Sequence, residues 1–206
     1  MNSIRVMLVD DHAVMRMGLA SILDNEVGID VVGEAGSAED CLKRLPALDP
    51  DLILMDLMMP GINGDQATKL IKEAHPRVHV LILTSYGTAD GIARALDAGA
   101  SGALLKSIDL VDLVKAIRNA VAGRRVLSPE IRRLLDTNPP VPELTARQLE
   151  VLDSMTRGLS NRDIASKLGI CNARVIQHVN ALFSKIGAAN RAEAVAIALR
   201  KHLLKI

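Results

Sequence analysis

Aromatic residues are almost absent from this chain, which has one Tyr, one Phe and no Trp among its 206 residues. A protein that binds single-stranded nucleic acid by base stacking needs several exposed rings, so that class is excluded. Long apolar runs are missing as well, because even the stretch DLILMDLMMPGI is interrupted by Asp56 and Pro60. Nothing approaches the roughly 18 apolar residues of a membrane span, and we expect no membrane partner.

Cysteine is scarce, and the two that occur, Cys41 and Cys171, lie far apart in the sequence. Isolated thiols are typical of a reducing compartment rather than of a disulfide-bonded scaffold. The opening MNSIRV also lacks the basic flank and apolar stretch of a secretory signal. These features predict a cytoplasmic protein.

Neither sign of charge dominates overall, since the formal net charge is only +1. The two parts of the chain differ, however. Residues 1–122 contain 11 basic and 17 acidic side chains, whereas residues 141–206 contain 10 basic and 5 acidic ones. Segments of opposite charge usually have different partners. A basic C-terminal segment favours a polyanion such as nucleic acid.

Five apolar, β-branched runs alternate with helical stretches in the first 122 residues. The runs begin at Ile4, Asp30, Asp51, Val78 and Gly102. Each interval has the length of a strand plus a crossover helix, and near-continuous apolar character is typical of parallel strands covered on both faces. We therefore predict an α/β fold for residues 1–122, with a doubly wound, five-stranded parallel sheet of flavodoxin-like order 2-1-3-4-5.

The rest of the chain is predicted to be helical. Residues 123–142 form a linker in this interpretation, with a short helix that begins at Pro129 and a proline-rich end that cannot continue a helix. Four helical segments follow, at 146–157, 161–168, 172–186 and 191–202. Capping-box pairs mark two of their starts. Residues 143–206 are thus expected to form a second, smaller all-α domain.

Four of the five predicted strands end in polar side chains. These side chains are Asp10 and Asp11 after the first strand, Asp56 after the third, Thr84 at the end of the fourth and Lys106 at the end of the fifth. Ligands of open parallel sheets bind at the carboxyl edge, where the winding reverses. Three adjacent carboxylates need a counter-charge, and Mg²⁺ is a hard cation that binds carboxylate oxygens. The pattern favours a phosphoacceptor in which Asp56 is the nucleophile, while Thr84 and Lys106 hold phosphoryl oxygens.

Each of these residues also has a simpler interpretation. An Asp at a strand-to-helix junction, such as Asp10 or Asp11, is often an N-cap. Lys106 could be a solvated lysine at a strand end, and Thr84 could cap the following helix. The joint occurrence of acid, acid, hydroxyl and lysine at four of five strand ends favours a site over these separate roles.

Four motifs carry a family resemblance, and they are VDDH at 9–12, MDLMMPGING at 55–64, LTSY at 83–86 and GALLK at 102–106. They resemble the receiver domain of bacterial response regulators. The resemblance implies that a sensor histidine kinase phosphorylates Asp56. It also implies that Mg²⁺ is held by Asp11, Asp56 and the main-chain carbonyl of Met58, with Asp10 assisting through water.

The resemblance is incomplete at the position that usually reports phosphorylation. Members of the family commonly have an aromatic residue three positions before the lysine, and this chain has Ala103 there. Tyr86 offers a substitute, with an ordinary loop tyrosine as the alternative. The sequence therefore leaves open which residue transmits the phosphorylation of Asp56 to the rest of the receiver.

Residues 160–185 have the spacing of a helix-turn-helix, in which the second helix lies in the major groove of DNA. Its apolar stripe predicts that Val175, Val179, Leu182 and Ile186 face the core. Arg174, Gln177 and Asn180 then face outward, with Ile176 on the flank. Gln and Asn suit adenine edges, and an exposed Ile suits a thymine methyl group. A four-helix protein-binding module is the alternative.

The segments LTARQLEVL, GLSNRDIASKLGI and VIQHVNALFSKIG resemble the LuxR-type DNA-binding domain. Together with the receiver motifs, they make the whole chain similar to a NarL/FixJ-type response regulator. The resemblance implies that Ile176, Gln177 and Asn180 contact bases, that Arg174 and Lys185 lie near phosphates, and that the last helix helps to form a homodimer. A Lys is usual in the family at the position of Ile176.

The leading hypothesis is a transcriptional switch that binds double-stranded DNA, and not an enzyme. A Mg²⁺-dependent phosphatase is the first rival, but such enzymes place a second Asp two residues after the nucleophile, where this chain has Met58. The second rival is a DNA-binding regulator that does not depend on phosphorylation, whose receiver only dimerises or contacts proteins. Ala103 and Ile176 are the residues that favour it.

Overall fold

The computed structural model describes residues 3–85, 89–137, 144–201, 203 and 204. The chain divides into two compact units, residues 1–139 and 140–206. No helix among the described residues is long and apolar enough to cross a membrane.

The first unit alternates strands and helices. Its elements are β1 (Ile4–Val9), α1 (Ala13–Leu23), β2 (Ile29–Ala35), α2 (Ala38–Leu48), β3 (Leu52–Met55), α3 (Gly64–Ala74), β4 (His79–Thr84), α4 (Ala89–Asp97), β5 (Gly102–Leu105), α5 (Leu110–Val121), β6 (Val126–Leu127) and α6 (Pro129–Thr137). In the described residues all strand pairs are parallel, and the sheet order is β2-β1-β3-β4-β5-β6. The first five strands have the predicted order.

A sixth strand corrects the prediction of five. Residues 123–142 were expected to form a linker, but Val126 and Leu127 pair with Gly102 and Ala103 of β5. The amide of Ser128 continues the ladder by donating to the carbonyl of Ala103 at 3.2 Å. The predicted short helix is present as α6, and it packs against α4 and β5. The proline-rich end of the predicted linker, at 138–142, lies outside the described residues.

The sixth strand approaches β5 closely because Gly102 has no side chain. A Cβ atom at this position would overlap the carbonyl oxygen of Val126. Ile131 of α6 is completely buried in the same apolar cluster as Ala103. The small side chains at 102 and 103 therefore admit β6 and α6 to this edge of the sheet.

Replacing Gly102 by Ala is expected to displace β6 and to lower the free energy of unfolding by about 1–3 kcal/mol, because backbone must move to admit the methyl group. Hydrogen exchange checks the location of the effect. The amides of Val126 and Ser128, which donate to Ser101 and Ala103, should lose protection, whereas the amide of Lys106 should keep it. Unchanged protection at Val126 and Ser128 would contradict this account.

Two apolar clusters cover the sheet, one on each face. One contains Met7, Ile53 and Ile82 and is closed by α2, α3, α4 and α6. The other contains Leu8, Leu54 and Leu81 and is closed by α1 and α5. Alternate residues of each strand thus enter opposite layers, as the nearly continuous apolar runs predict. The polar residues after each strand are left at the carboxyl edge.

The second unit contains four helices in its described residues, α7 (Ala146–Thr156), α8 (Asn161–Leu168), α9 (Asn172–Ile186) and α10 (Arg191–Arg200). The predicted capping boxes of Thr145 with Gln148 and of Ser160 with Asp163 are both present. Gly169 and Gly187 adopt left-handed backbone conformations that end α8 and α9. A third apolar cluster joins all four helices.

Candidate functional site

The carboxyl edge of the sheet brings three of the predicted site residues into direct contact. Lys106 follows β5, and its Nζ atom lies 2.6 Å from Oδ2 of Asp10 and 2.8 Å from Oδ2 of Asp56. All three side chains are about 95% buried. A solvated role for Lys106, considered from the sequence, is therefore wrong. One ammonium group bridges the carboxylates that follow β1 and β3.

The segment after β1 is held by a short network of hydrogen bonds. Oδ1 of Asp10 accepts from the amide of His12 at 2.9 Å, and the carbonyl of Asp10 accepts from Nη1 of Arg16 at 2.6 Å. His12, and not Asp10 or Asp11, is the N-cap residue of α1, and its side chain makes no capping hydrogen bond. The alternative interpretation of Asp10 and Asp11 as N-cap residues is therefore wrong.

Four side chains form a cluster that could hold a cation. Among the described residues, ligand atoms of Asp10, Asp11, His12 and Asp56 lie within 4.8 Å of one another. Nδ1 of His12 lies 2.9 Å from Oδ1 of Asp11. The three carboxylates match the hard oxygen ligands that Mg²⁺ prefers, so the site is compatible with Mg²⁺. His12 was not among the predicted ligands, although it follows the two acids directly.

Asp56 is fixed by the backbone on both sides of it. Its amide donates to the carbonyl of Val9 at 2.8 Å, and its Oδ1 accepts from the amide of Met58 at 3.3 Å. The Met58 side chain itself is exposed. Gly64, the first residue of α3, lies so close that a Cβ atom there would overlap the carbonyl oxygen of Asp56. The backbone at Gly64 therefore packs directly against the backbone of Asp56 and fixes its position.

Burial raises the pKa of Asp56, although the hydrogen bond and charge of Lys106 oppose the rise. The folded chain then holds the Asp56 proton more tightly than the unfolded chain does. Folding consequently becomes less favourable as the pH rises past the ordinary Asp56 pKa of 3.8. For Lys106, burial alone would lower the pKa, but the hydrogen bonds to Asp10 and Asp56 outweigh burial and raise it. Lys106 is thus held as a cation.

Thr84 ends β4 at the same edge and is almost completely buried. Its carbonyl accepts from the amide of Lys106 at 2.8 Å, which ties the ends of β4 and β5 together. A cavity of about 490 Å³ borders the site and is lined by His12, Ser85 and Lys106 together with apolar residues of α1. Tyr86, the proposed substitute for the missing aromatic, lies outside the described residues.

In the second unit, α9 has the two faces that the sequence predicted. Its fully or nearly buried residues are Val175, Val179, Leu182 and Ile186. Arg174, Gln177 and Asn180 are exposed, and Ile176 is 42% exposed. The helix has 15 residues and is preceded by α8 and a three-residue turn. This is the arrangement of a helix-turn-helix.

Lys185 differs from the other predicted DNA contacts. It is half-buried, and its Nζ atom lies 3.4 Å from Oε1 of Gln148, a buried residue of α7. Lys185 therefore ties the end of α9 to the start of α7. The apolar periodicity of α9 did not reveal this contact, because its partner lies 37 residues earlier in the chain.

The unit with the acidic edge and the unit with the helix-turn-helix each match a known protein family. Residues 6–118 match the response regulator receiver domain, and residues 142–198 match the luxR family of bacterial regulatory proteins. The VraR response regulator of Staphylococcus aureus is 36% identical over 208 residues, which span 98% of this chain and 100% of VraR.

The chain belongs to the LuxR-type response regulators. It is a two-component transcriptional regulator, and the resemblance that its motifs indicated is confirmed.

Solved structures of other response regulators are similar over the whole chain. ChrA, from a heme-sensing two-component system, is 39% identical with a TM-score of 0.59, and the match covers 99% of this chain and 100% of ChrA. RcsB of Salmonella enterica, solved on promoter DNA with the phosphomimetic BeF₃⁻, is 25% identical with a TM-score of 0.71. That match covers 98% of this chain and 100% of RcsB.

This response regulator encloses Ala103, the position at which the family resemblance implies an aromatic residue. Ala103 is completely buried, and it pairs in register with Leu127 of β6. The sequence alone identified the missing ring. It did not reveal that the chain's own sixth strand runs beside this position.

Proposed function

We propose that a sensor histidine kinase phosphorylates Asp56 and that this modification changes dimerisation and sequence-specific DNA binding. The observation that carries the proposal is the pair of contacts from Lys106 to Asp10 and Asp56, at 2.6 and 2.8 Å. A buried acid with a cation at hydrogen-bond distance is suited to accept a phosphoryl group, because the cation neutralises the charge that arrives.

In the proposed reaction, a carboxylate oxygen of Asp56 attacks the phosphorus of a phosphohistidine. A P–O bond forms, the P–N bond breaks, and the leaving imidazole takes up a proton from solvent. Lys106 then pairs with a phosphoryl oxygen, and the hydroxyl group of Thr84 donates to another.

Mg²⁺ is the cofactor that we assign to this reaction. Asp10, Asp11, Asp56 and the main-chain carbonyl of Met58 would hold it. When bound, it supplies positive charge to the carboxylates and to the phosphoryl oxygens. The need for this charge follows from the residues themselves, because Lys106 contributes one positive charge against three carboxylates.

The protein is proposed to act as a switch and not as an enzyme with turnover. The position two residues after Asp56 holds Met58, which cannot protonate a leaving group as the second Asp of a phosphatase does. At most, the chain catalyses its own phosphorylation and dephosphorylation, so a turnover assay on phosphate esters should detect no hydrolysis above the uncatalysed rate.

Treatment of the full chain with a small phosphodonor and MgCl₂ is expected to add the mass of one phosphoryl group, located on Asp56. Mass spectrometry of the intact chain and of its peptides checks this. The Asp56→Asn variant should show no gain, whereas Asp65→Asn, which changes a buried acid of α3, should retain it. A gain that survives Asp56→Asn would remove the mechanism.

On the DNA side, we propose that α9 enters the major groove, with Ile176, Gln177 and Asn180 at the bases and Arg174 and Lys185 near phosphates. The exposure of Gln177 and Asn180 beside a buried apolar stripe supports this. RcsB has been solved as dimers on DNA. By analogy, we infer that this protein also binds double-stranded DNA as a homodimer when it is active.

Replacing Gln177 by Ala is expected to weaken binding to the specific operator by about 1–3 kcal/mol, because a bidentate base contact is lost. Binding to random DNA should change little, since phosphate contacts carry it. Ser184→Ala is the matched control, as Ser184 is exposed near the other end of α9. Fluorescence anisotropy at fixed salt measures both. Equal losses on operator and random DNA would contradict base contact by Gln177.

One observation favours a second candidate function. Position 103 is an Ala enclosed beside β6. It therefore has no aromatic ring that could rotate to report phosphorylation. A regulator whose receiver serves only for dimerisation or protein contacts would not need such a ring. DNA binding by Asp56→Ala equal to that of the phosphorylated wild type would favour this second function.

A further inference from the structure

We propose that Arg16 is a positioning residue for the magnesium site, an inference that rests on the function proposed above. Arg16 lies on α1, and only 17% of its side chain is exposed. Its Nη1 donates to the main-chain carbonyl of Asp10 at 2.6 Å, and its Nε donates to Oε2 of Glu34 at 3.2 Å. Arg16 therefore links α1 to the ends of β1 and β2.

The carbonyl that Arg16 binds belongs to the peptide group between Asp10 and Asp11. A displacement of this group would move the Cα atoms of Asp10 and Asp11 that flank it, and with them both carboxylates. The remaining hydrogen bonds of Asp10 hold other atoms. Its amide donates to Ala35 at 3.2 Å, and its Oδ1 accepts from the amide of His12 at 2.9 Å. Arg16 is thus the side chain that fixes the carbonyl.

The charge of Arg16 is placed where it does not compete with a cation. Lys106 lies on the carboxylate oxygens of Asp10 and Asp56, but the hydrogen bonds of Arg16 go to a carbonyl and to Glu34. Glu34 fixes the guanidinium and offsets its charge. The arrangement orients the ligands of the site and leaves their oxygens to Mg²⁺, which is the role that outer residues have in metal sites.

The test titrates the purified full chain with MgCl₂ and uses two readouts. The first is the shift in melting temperature, which needs no phosphorylation. The second is the rate of phosphorylation by acetyl phosphate as a function of MgCl₂. Arg16→Met keeps the aliphatic stem and removes the donors. We expect about a tenfold rise in the apparent Kd for Mg²⁺, with the phosphorylation rate at saturating MgCl₂ within about twofold of wild type.

Two further variants separate positioning from folding. Arg16→Lys retains one charged donor and should recover part of the affinity, and Glu34→Gln should give a smaller rise in the same direction. The matched control is Arg5→Met. Arg5 also donates to main-chain carbonyls, that of Leu48 at 2.7 Å and that of Asp49 at 3.1 Å, but it contacts neither a proposed ligand nor Glu34. Its Mg²⁺ affinity should equal that of wild type.

The outcomes distinguish this inference from the function on which it rests. Wild-type affinity in Arg16→Met, with or without a lower melting temperature, would overturn the positioning role and leave the phosphoacceptor intact. An equal loss in Arg5→Met would do the same, because the effect would then be unspecific. Failure of the wild type to respond to MgCl₂ would overturn the proposed magnesium site, and the role of Arg16 with it.

Discussion

Replacing Lys106 by Met is expected to lower the free energy of unfolding by about 3–5 kcal/mol in the absence of divalent cations. Lys106 is the cation that contacts Asp10 and Asp56, and both acids are about 95% buried. Removing one partner of a buried ion pair leaves charge that water cannot solvate. In this variant two carboxylates lose the same partner, so the loss should lie toward the upper end of the range.

Urea denaturation with and without MgCl₂ measures this effect and its cause. Added MgCl₂ should recover more stability in Lys106→Met than in wild type, because the two acids then lack any other counter-charge. The matched control is Lys115→Met, which breaks the exposed pair with Asp112. Its cost should be too small to measure, because water screens an exposed pair. A loss in Lys106→Met as small as that of the control would show that the acids do not depend on the bridge.

Replacing Gly64 by Ala is expected to cost about 3 kcal/mol, because the added methyl group meets backbone rather than flexible side chains. Besides the overlap with the carbonyl oxygen of Asp56, the Cβ atom would lie 2.9 Å from Cα of Leu57. The hydrogen bond from the Gly64 amide to the carbonyl of Leu57, at 2.9 Å, holds the chain in this close return. The variant must therefore move the segment that carries the nucleophile.

Gly18→Ala is the control for Gly64→Ala. Gly18 lies within α1, and nothing stands within 4 Å of a Cβ atom built there. The substitution should stabilise the protein by about 0.5–1 kcal/mol, because Gly is a poor helix former. Thermal denaturation compares the two variants, and phosphodonor labelling should slow only in Gly64→Ala. The same sign of stability change in both would refute the crowding argument.

The strand-end residues could be predicted from the sequence because of a general property of parallel sheets. Strand ends are visible as the ends of apolar runs, and parallel connectivity places all carboxyl ends at one edge. Asp10, Asp56 and Lys106 are therefore expected at the same edge, and the predicted order makes the strands before Asp10 and Asp56 neighbours. Their contacts of 2.6 and 2.8 Å, and the burial that makes Lys106 a bridge, depend on the helices that close over them.

The helical unit was predicted closely because its signals are local. The capping boxes at Thr145 and Ser160 and the glycines at 169 and 187 mark helix ends by interactions within a few residues. The apolar stripe of α9 separates its buried and exposed faces in the same way. The contact of Lys185 with Gln148 was not predicted, because the two residues lie 37 positions apart in the chain.

By itself, then, the amino-acid sequence determined the alternation of strands and helices, the polar residues at the strand ends, the helix caps and the exposed face of α9. Each of these features depends on interactions between residues that are near one another in the chain. Only the tertiary structure decided that Val126 and Leu127 form a sixth strand. A two-residue strand has no periodicity of its own, and it forms because Gly102 lets it approach β5. Tertiary structure likewise placed the guanidinium of Arg16 on the carbonyl of Asp10, since α1 must pack on the sheet before that contact can exist.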